Sequence, residues 1–296
     1  MRIGIDLGGT KTEIAVFDVS GAELLRRREP TPADDYDATL ALLATLVADA
    51  ERKLGKTATI GIGTPGAQSP STGLMRNSNS TCLNLKPFKK DLQRTLGREV
   101  QLANDANCFA LSEAIDGAAA GAASVIGVII GTGVGGGIVI NRKVIDGPNA
   151  IAGEWGHNPL PWPEDSERPG ALCYCGKRGC IETFLSGPGL ARDYALQGGD
   201  TITAEEIVAR SHREAAAAQA LIRYEHRLAR ALSTVINLLD PEVIVLGGGL
   251  SNVERLYKNI PALWGKWVFS DKVRTRLLRN VHGDSSGVRG AAWLWS

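Results

Sequence analysis

The chain has 296 residues, 44% hydrophobic and 22% charged, an ordinary make-up for a folded chain long enough for two domains. Its formal net charge of +1 removes the electrostatic case for nucleic acid or an anionic membrane surface as the main partner. No apolar run approaches the ~20 residues that span a bilayer, and no basic region, apolar core and cleavage site precede the first strand at Arg2, so a cytoplasmic protein is expected.

Arg2 to Leu7 predicts a strand, Gly8-Gly9 a turn in which positive φ is expected, and the apolar run ending at Phe17 a return strand. Glycine amides let phosphate oxygens approach without a Cβ in the way. Thr10 and Thr12 add hydroxyls, Lys11 adds a cation, and Asp6 ends the strand with a carboxylate suited to a hydrated Mg²⁺. This first hairpin carries neither the P-loop pattern nor G-x-G-x-x-G. Leu24 to Glu29 reads as a third strand, Pro30-Thr31-Pro32 as a break, and Asp35 to Leu54 as a helix stopped by Gly55. Ala58 to Gly63 is a buried strand running into Thr64-Pro65-Gly66, either a plain turn or a close backbone approach to a ligand.

Residues 67–97 carry little regular pattern. Within them Asn77-Ser78-Asn79-Ser80-Thr81 suits a surface loop and a hydroxyl-rich ligand equally. Glu99 to Asn104 is a strand, and Asp105-Ala106-Asn107 opens a helix to about Asp116. Asn104 or Asp105 is either a plain N-cap, or a carboxylate at the crevice end of a strand, where α/β sheets bind ligands. Gly117 to Ala123 reads as the crossing into a second domain.

About 120 positions after the first hairpin the pattern returns. Val125 to Ile130 is a strand, Gly131-Thr132-Gly133 a turn, and Val134 to Ile140, with Gly135, a return strand. A duplicated α/β domain is expected, each half offering one phosphate-gripping hairpin to a shared cleft. Gly153-Glu154-Trp155-Gly156-His157 lacks the spacing of the H-E-x-x-H protease helix. Pro159, Pro161, Pro163 and Pro169 make 158–170 a non-regular loop. Cys173, Cys175 and Cys180, with glycines at 176 and 179, supply three thiolates able to fold around one ion; His157 is the nearest fourth ligand for tetrahedral, structural zinc.

Thr183 to Leu196 and Ala204 to Ser211 read as helices, and Glu214 to Leu239 as a long one. Pro241 to Leu246 is a buried strand ending in Gly247-Gly248-Gly249, a flat surface on which a planar base can lie. Trp264 and Trp267 read as helix core, His282 to Gly287 as a loop, and Val288 to Trp295 as a short helix.

These motifs resemble the ROK family of sugar kinases and repressors, within the actin-like ATPase superfamily. D-L-G-G-T-K-T, Ile130 to Gly137, Gly153 to His157 and the C-x-C-G-x-x-G-C-x-E segment ending at Glu182 carry the resemblance across the whole chain. The Asn104-Asp105-Ala106-Asn107 stretch, the Pro161-Trp162-Pro163 loop and the tail from Gly283 to Trp293 are most similar to bacterial fructokinases of the manno(fructo)kinase type.

The resemblance implies a duplicated, ribonuclease H-like two-lobe fold with a zinc-binding insertion. One lobe covers 1–117, completed by a helix over 284–296, and the other covers 118–283. It implies ATP with Mg²⁺ on both hairpins, adenosine near Gly247-Gly248-Gly249, and Asp105 accepting the proton of the sugar's attacking hydroxyl. Gly66, Asn79, Asn104, Asp105, Glu154, His157 and Glu182 are expected around the sugar. The expected reaction is fructose to fructose 6-phosphate, with an N-acetylhexosamine or glucose kinase as the alternative. A homodimer is implied, with the helix over 214–239 a candidate interface. ROK repressors carry a DNA-binding helix-turn-helix before the first hairpin; here that hairpin begins at Arg2.

Overall fold

The computed structural model describes residues 1–32, 34–283 and 286–295; Ala33, Asp284, Ser285 and Ser296 lie outside it. The chain first lays down β1 (Arg2–Leu7), β2 (Lys11–Phe17) and β3 (Glu23–Pro30). After α1 (Tyr36–Leu54) come β4 (Thr59–Thr64), a two-stranded ribbon of β5 (Ala67–Gln68) and β6 (Met75–Arg76), then α2 (Phe88–Leu96), β7 (Gln101–Asn104) and α3 (Asp105–Ile115). The second half supplies β8 (Ser124–Ile130), β9 (Val134–Ile140) and β10 (Lys143–Val144). It continues with α4 (Glu182–Leu185), α5 (Gly187–Leu196), α6 (Ala204–Arg210), α7 (Ala215–Leu239), β11 (Val243–Gly247), α8 (Arg255–Trp264), β12 (Arg276–Arg279) and α9 (Ser286–Ala292).

The two halves repeat one topology. The first sheet has the order β3-β2-β1-β4-β7 and the second β10-β9-β8-β11-β12. In each, the first three strands are antiparallel and the last two join in parallel, as crossover helices between strands require. The parallel strands β4 and β11 are almost wholly buried, which accounts for their continuous apolar sequences.

Two helices are exchanged between the sheets. The helix α3 leaves β7 of the first sheet and packs on β8 and β9 of the second, whereas α9 follows the second sheet and packs on β1 and β4 of the first. They also pack on each other. The packing of α9 needs bare backbone at two points: a Cβ on Gly61 of β4 would lie 1.8 Å from the Ala291 carbonyl oxygen, and one on Gly290 would lie 1.7 Å from that of Cys108 in α3. The first turns of α3 and α9 are thereby brought together between the sheets.

Several local expectations change. The segment 67–97 contains α2, whose Phe88 and Leu92 are buried at helical spacing, as well as the β5–β6 ribbon. The helix expected over 183–196 is broken at Ser186, whose hydroxyl accepts the Gly189 amide and starts α5 afresh. Ser286 and Gly287 are helical rather than loop; Asp284 and Ser285 of that expected loop are outside the described residues. Trp264 is core, but Trp267 lies beyond α8 and stacks on Trp162 at 5.1 Å. The helix α7 is a central core element, so it offers little free face for a partner; its last turn alone exposes Leu238. The Pro-rich loop is tied to that helix by a buried ion cluster, in which Arg227 and Arg230 both reach Glu167 Oε1 at 2.7 Å.

Candidate active site

The first hairpin turns at Gly8–Thr10, with Thr10 and Lys11 exposed at its tip. Contrary to expectation, neither Gly8 nor Gly9 takes a left-handed φ. Glycine is needed at position 8 because a Cβ would sit 2.7 Å from the Lys11 carbonyl, which accepts the Gly8 amide. Thr12 does not face outward either. It is fully buried, and its hydroxyl pairs at 2.8 Å with Thr31, whose own hydroxyl donates to the Gly8 carbonyl at 2.8 Å. Thr12 and Thr31 therefore brace the turn from behind, a contact that the Pro30-Thr31-Pro32 break does not announce.

The second hairpin is braced in the same way by later elements. The Gly187 amide donates to the Gly131 carbonyl at 2.7 Å, and Gly248, at φ 80°, presses against Ile130 and Gly131. Any Cβ at 248 would stand 2.6 Å from the Ile130 carbonyl oxygen, so the Gly247-Gly248-Gly249 end of β11 is laid directly on the hairpin. Gly135 lies against Ala106, which sets the first turn of α3 on β9.

Between the sheets lies a cavity of about 340 Å³ walled by Asp6, Asp105, Gly248, Gly249, Ser286 and Gly287, among others. Asn104 resolves the ambiguity at the start of α3: its side-chain Oδ1 accepts the Asn107 backbone amide at 2.7 Å and caps the helix. Asp105 is left to the cavity, one oxygen oriented by the Ala106 amide at 2.8 Å. A helix N-terminus favours the ionised form, yet burial pushes its pKa up and outweighs that amide bond. Asp6 is pushed up to about 6, by burial first and then by the charges of Asp105 and Glu13, with Lys11 and Arg28 pulling the other way. Glu13 is itself buried and held by Arg26 and Arg28. Two carboxyls in one cavity, each raised toward neutrality, form a site that a cation would relieve.

Ser251, Asn252, Asn280, Ser286 and Gly287 complete the cavity wall, and none was anticipated. Asn79 instead lines a separate recess of about 160 Å³ beside Gly9 and Thr31. Gly66, at φ 74°, backs onto Arg76–Ser78.

The expected metal ligands converge. His157, Cys173, Cys175 and Cys180 place their ligand atoms within 4.8 Å of one another. The Cys175–Cys180 sulfurs are 3.6 Å apart, and Cys173 Sγ is 3.6 Å from His157 Nδ1. Tetrahedral zinc with ordinary bonds has edges of about 3.8 Å between sulfurs and about 3.6 Å from sulfur to nitrogen. Burial and the neighbouring sulfurs push the Cys180 thiol up to about 12, the mark of thiolates crowded together without a cation. The four residues fit zinc.

The same loop delivers Glu182 to the second hairpin, where its Oε2 accepts the Val134 amide at 2.9 Å beside Gly133. His157 Nε2 points away from the sulfurs, 2.9 Å from the Tyr174 hydroxyl and 3.9 Å from Glu154 Oε2. The strand β9 carries this assembly, since Trp155 Nε1 donates to the Gly135 carbonyl.

The model of the ROK family matches residues 2–296. The chain belongs to the ROK family. An N-acetyl-D-glucosamine kinase of Pectobacterium atrosepticum is 40% identical over 302 aligned residues, covering 99% of this chain and 98% of that one. The structure of a ROK hexokinase from Thermus thermophilus superposes with a TM-score of 0.87 at 31% identity, covering 99% and 97% of the two chains. A ROK glucokinase from Streptomyces griseus, solved with glucose and AMPPNP, gives 0.75 at 27% identity, over 98% and 97%. The fold is thus the two-lobe α/β sugar-kinase fold of the ROK family. These relatives do not bear out the fructokinase subgroup: curated relatives 40% identical along nearly the whole chain are N-acetyl-D-glucosamine kinases. No helix among the described residues is long and apolar enough to cross a membrane.

Proposed function

We propose that this ROK protein transfers the γ-phosphoryl group of ATP to the 6-hydroxyl of a hexose, with N-acetyl-D-glucosamine the leading acceptor. The observation that carries the reading is Asp105, oriented by the first amide of its own helix and sharing one cavity between the sheets with Asp6 and Gly248–Gly249. Phosphoryl transfer asks mainly for positioning and charge neutralisation. The hairpin amides with Thr10 and Lys11 grip the phosphates, and the base lies along Gly247-Gly248-Gly249. Mg²⁺ arriving with ATP supplies the positive charge that Asp6, through water, is placed to hold.

Asp105 accepts the proton of the sugar hydroxyl as its oxygen bonds to the γ-phosphorus and the bond to the β-phosphate oxygen breaks. A carboxyl raised by burial is a better acceptor than a free one. Asn104, Glu154, His157 and Glu182 hold the sugar, with Gly66 and Asn79 on the facing side. Zinc is structural: it fixes the 173–180 loop, and through it His157 and Glu182. The first sheet with residues 1–117 and the returning C-terminal helix is one lobe, residues 118–283 the other; the packing of α9 on β1 and β4 supports that division.

The identity to N-acetyl-D-glucosamine kinases along nearly the whole chain supports reading that sugar as the acceptor. Fructose is the second reading, favoured by the Asn104–Asn107, Pro161-Trp162-Pro163 and tail stretches that resemble fructokinases. A coupled ADP-release assay with Mg-ATP against N-acetylglucosamine, N-acetylmannosamine, glucose, fructose and mannose separates them. Fastest turnover of N-acetylglucosamine supports the first reading and of fructose the second. No turnover of any, by protein shown to hold zinc, refutes both.

A further inference from the structure

The residue between the first two cysteine ligands, Tyr174, has no part in the metal cluster and none in the reading above. It is 82% exposed, yet its hydroxyl is not turned to open water. It lies 2.9 Å from His157 Nε2, and its ring stands edge-on to the imidazole with centroids 5.0 Å apart at 88°. The phenol is thus held against an imidazole that the proposed function places on the sugar.

The direction of the bond follows from the metal cluster. His157 Nδ1 faces Cys173 Sγ and forms one corner of the site that fits zinc. A histidine bound through Nδ1 carries its proton on Nε2, and that N–H is a donor. The donor finds the Tyr174 oxygen at hydrogen-bonding distance, whereas Glu154 Oε2 is out of reach at 3.9 Å. Among the described residues the phenol has no other hydrogen-bond partner. Its backbone is pinned between two ligands, while its side chain is open to solvent and free to rotate.

We propose that Tyr174 sets sugar affinity by holding, on the Nε2–H of His157, the place that a substrate hydroxyl takes when it binds. The inference rests on the hexose reading of the site. Sugar entry breaks the Tyr174–His157 bond and swings the phenol outward, and the sugar oxygen then accepts from Nε2. The residue acts on the sugar alone, because nothing connects it to the cavity at Gly248–Gly249. Exchange of one neutral hydrogen bond for another is worth a factor of about 2–10 in affinity.

The test is calorimetric titration of zinc-loaded wild type and Tyr174→Phe with N-acetyl-D-glucosamine and with D-fructose, without nucleotide, and with Mg-ADP alone. The phenylalanine ring keeps the edge-on contact and removes only the oxygen. The expected result is a Kd for the bound sugar lower by about 2–10-fold in Tyr174→Phe, with the Mg-ADP Kd and zinc content unchanged. Equal or weaker sugar binding by Tyr174→Phe overturns the inference and leaves the hexose reading standing. Wild type that binds neither sugar overturns both.

Discussion

Replacement of Asp6 by Asn should make the protein more stable while disabling it. Asp6 shares a cavity with Asp105 and lies close to Glu13, and its carboxyl is raised from 3.8 to about 6. Above pH 6 it is charged in the folded and unfolded chains alike, and the folded chain bears the whole cost of that charge, about 3 kcal/mol from the displacement itself. As pH falls through 6 toward 3.8, the folded state takes up its proton first and the cost shrinks. Water entering the cleft screens part of it, leaving an expected gain for Asp6→Asn of about 1–2 kcal/mol at pH 7.5. For a chain of this size that is a rise of about 2–3 °C in melting temperature. Differential scanning calorimetry of the two proteins at pH 7.5 and pH 5, with and without Mg-ADP, reads it directly. The gain should be about halved at pH 5. Mg-ADP should raise the wild-type melting temperature and leave that of the variant nearly unmoved. A variant less stable than wild type at pH 7.5, or a gain independent of pH, would refute the assignment of Asp6 as an electrostatically strained cation-side carboxylate.

Three further substitutions probe the other parts of the site. Asp105→Asn should lower kcat by about 10²–10⁴-fold with nucleotide binding kept, as for loss of a general base; near wild-type turnover would remove Asp105 from the mechanism. Cys175→Ser should lose zinc, measured by atomic absorption, together with thermal stability and sugar turnover; a zinc-free variant with unchanged melting and activity would show the cluster to be dispensable. Thr31→Val removes the hydroxyl that ties Gly8 to Thr12 and leaves a buried Thr12 hydroxyl unpaired, at a cost of about 1–3 kcal/mol. It should raise the KM for ATP several-fold with the KM for sugar unchanged; an unchanged KM for ATP would mean that the turn holds its shape without the brace.

The features legible in the sequence were those carried by short-range pattern. Both hairpins, the buried strands β4 and β11 and the half-buried β7 stand where apolar runs and glycine turns put them, and the repeat of the first hairpin foretold two sheets of one topology. The three cysteines lie within eight positions and share one loop, so their convergence was close to geometric necessity; His157 joins them through the bridge of Pro159 to Cys180. Features that depend on distant segments were not legible. Nothing local to Thr12 says that Thr31 will take its hydroxyl, nor does Ser286 announce that it will wall a cavity with Asp6. The helix α2 was missed although Phe88, Leu92 and Leu96 have helical spacing, because the charges between them masked the pattern. The helix end that Asp105 begins is visible in the sequence, but the burial that dominates its carboxyl is not.

The most direct measurement is phosphorus NMR of the products formed by the zinc-loaded protein from Mg-ATP and N-acetyl-D-glucosamine, repeated with D-fructose. Transfer to a hexose at Asp105 predicts a phosphate monoester coupled to the C6 methylene protons, accumulating in step with ADP and absent with Asp105→Asn. Inorganic phosphate in place of the sugar ester, or ester formation undiminished in Asp105→Asn, would contradict it.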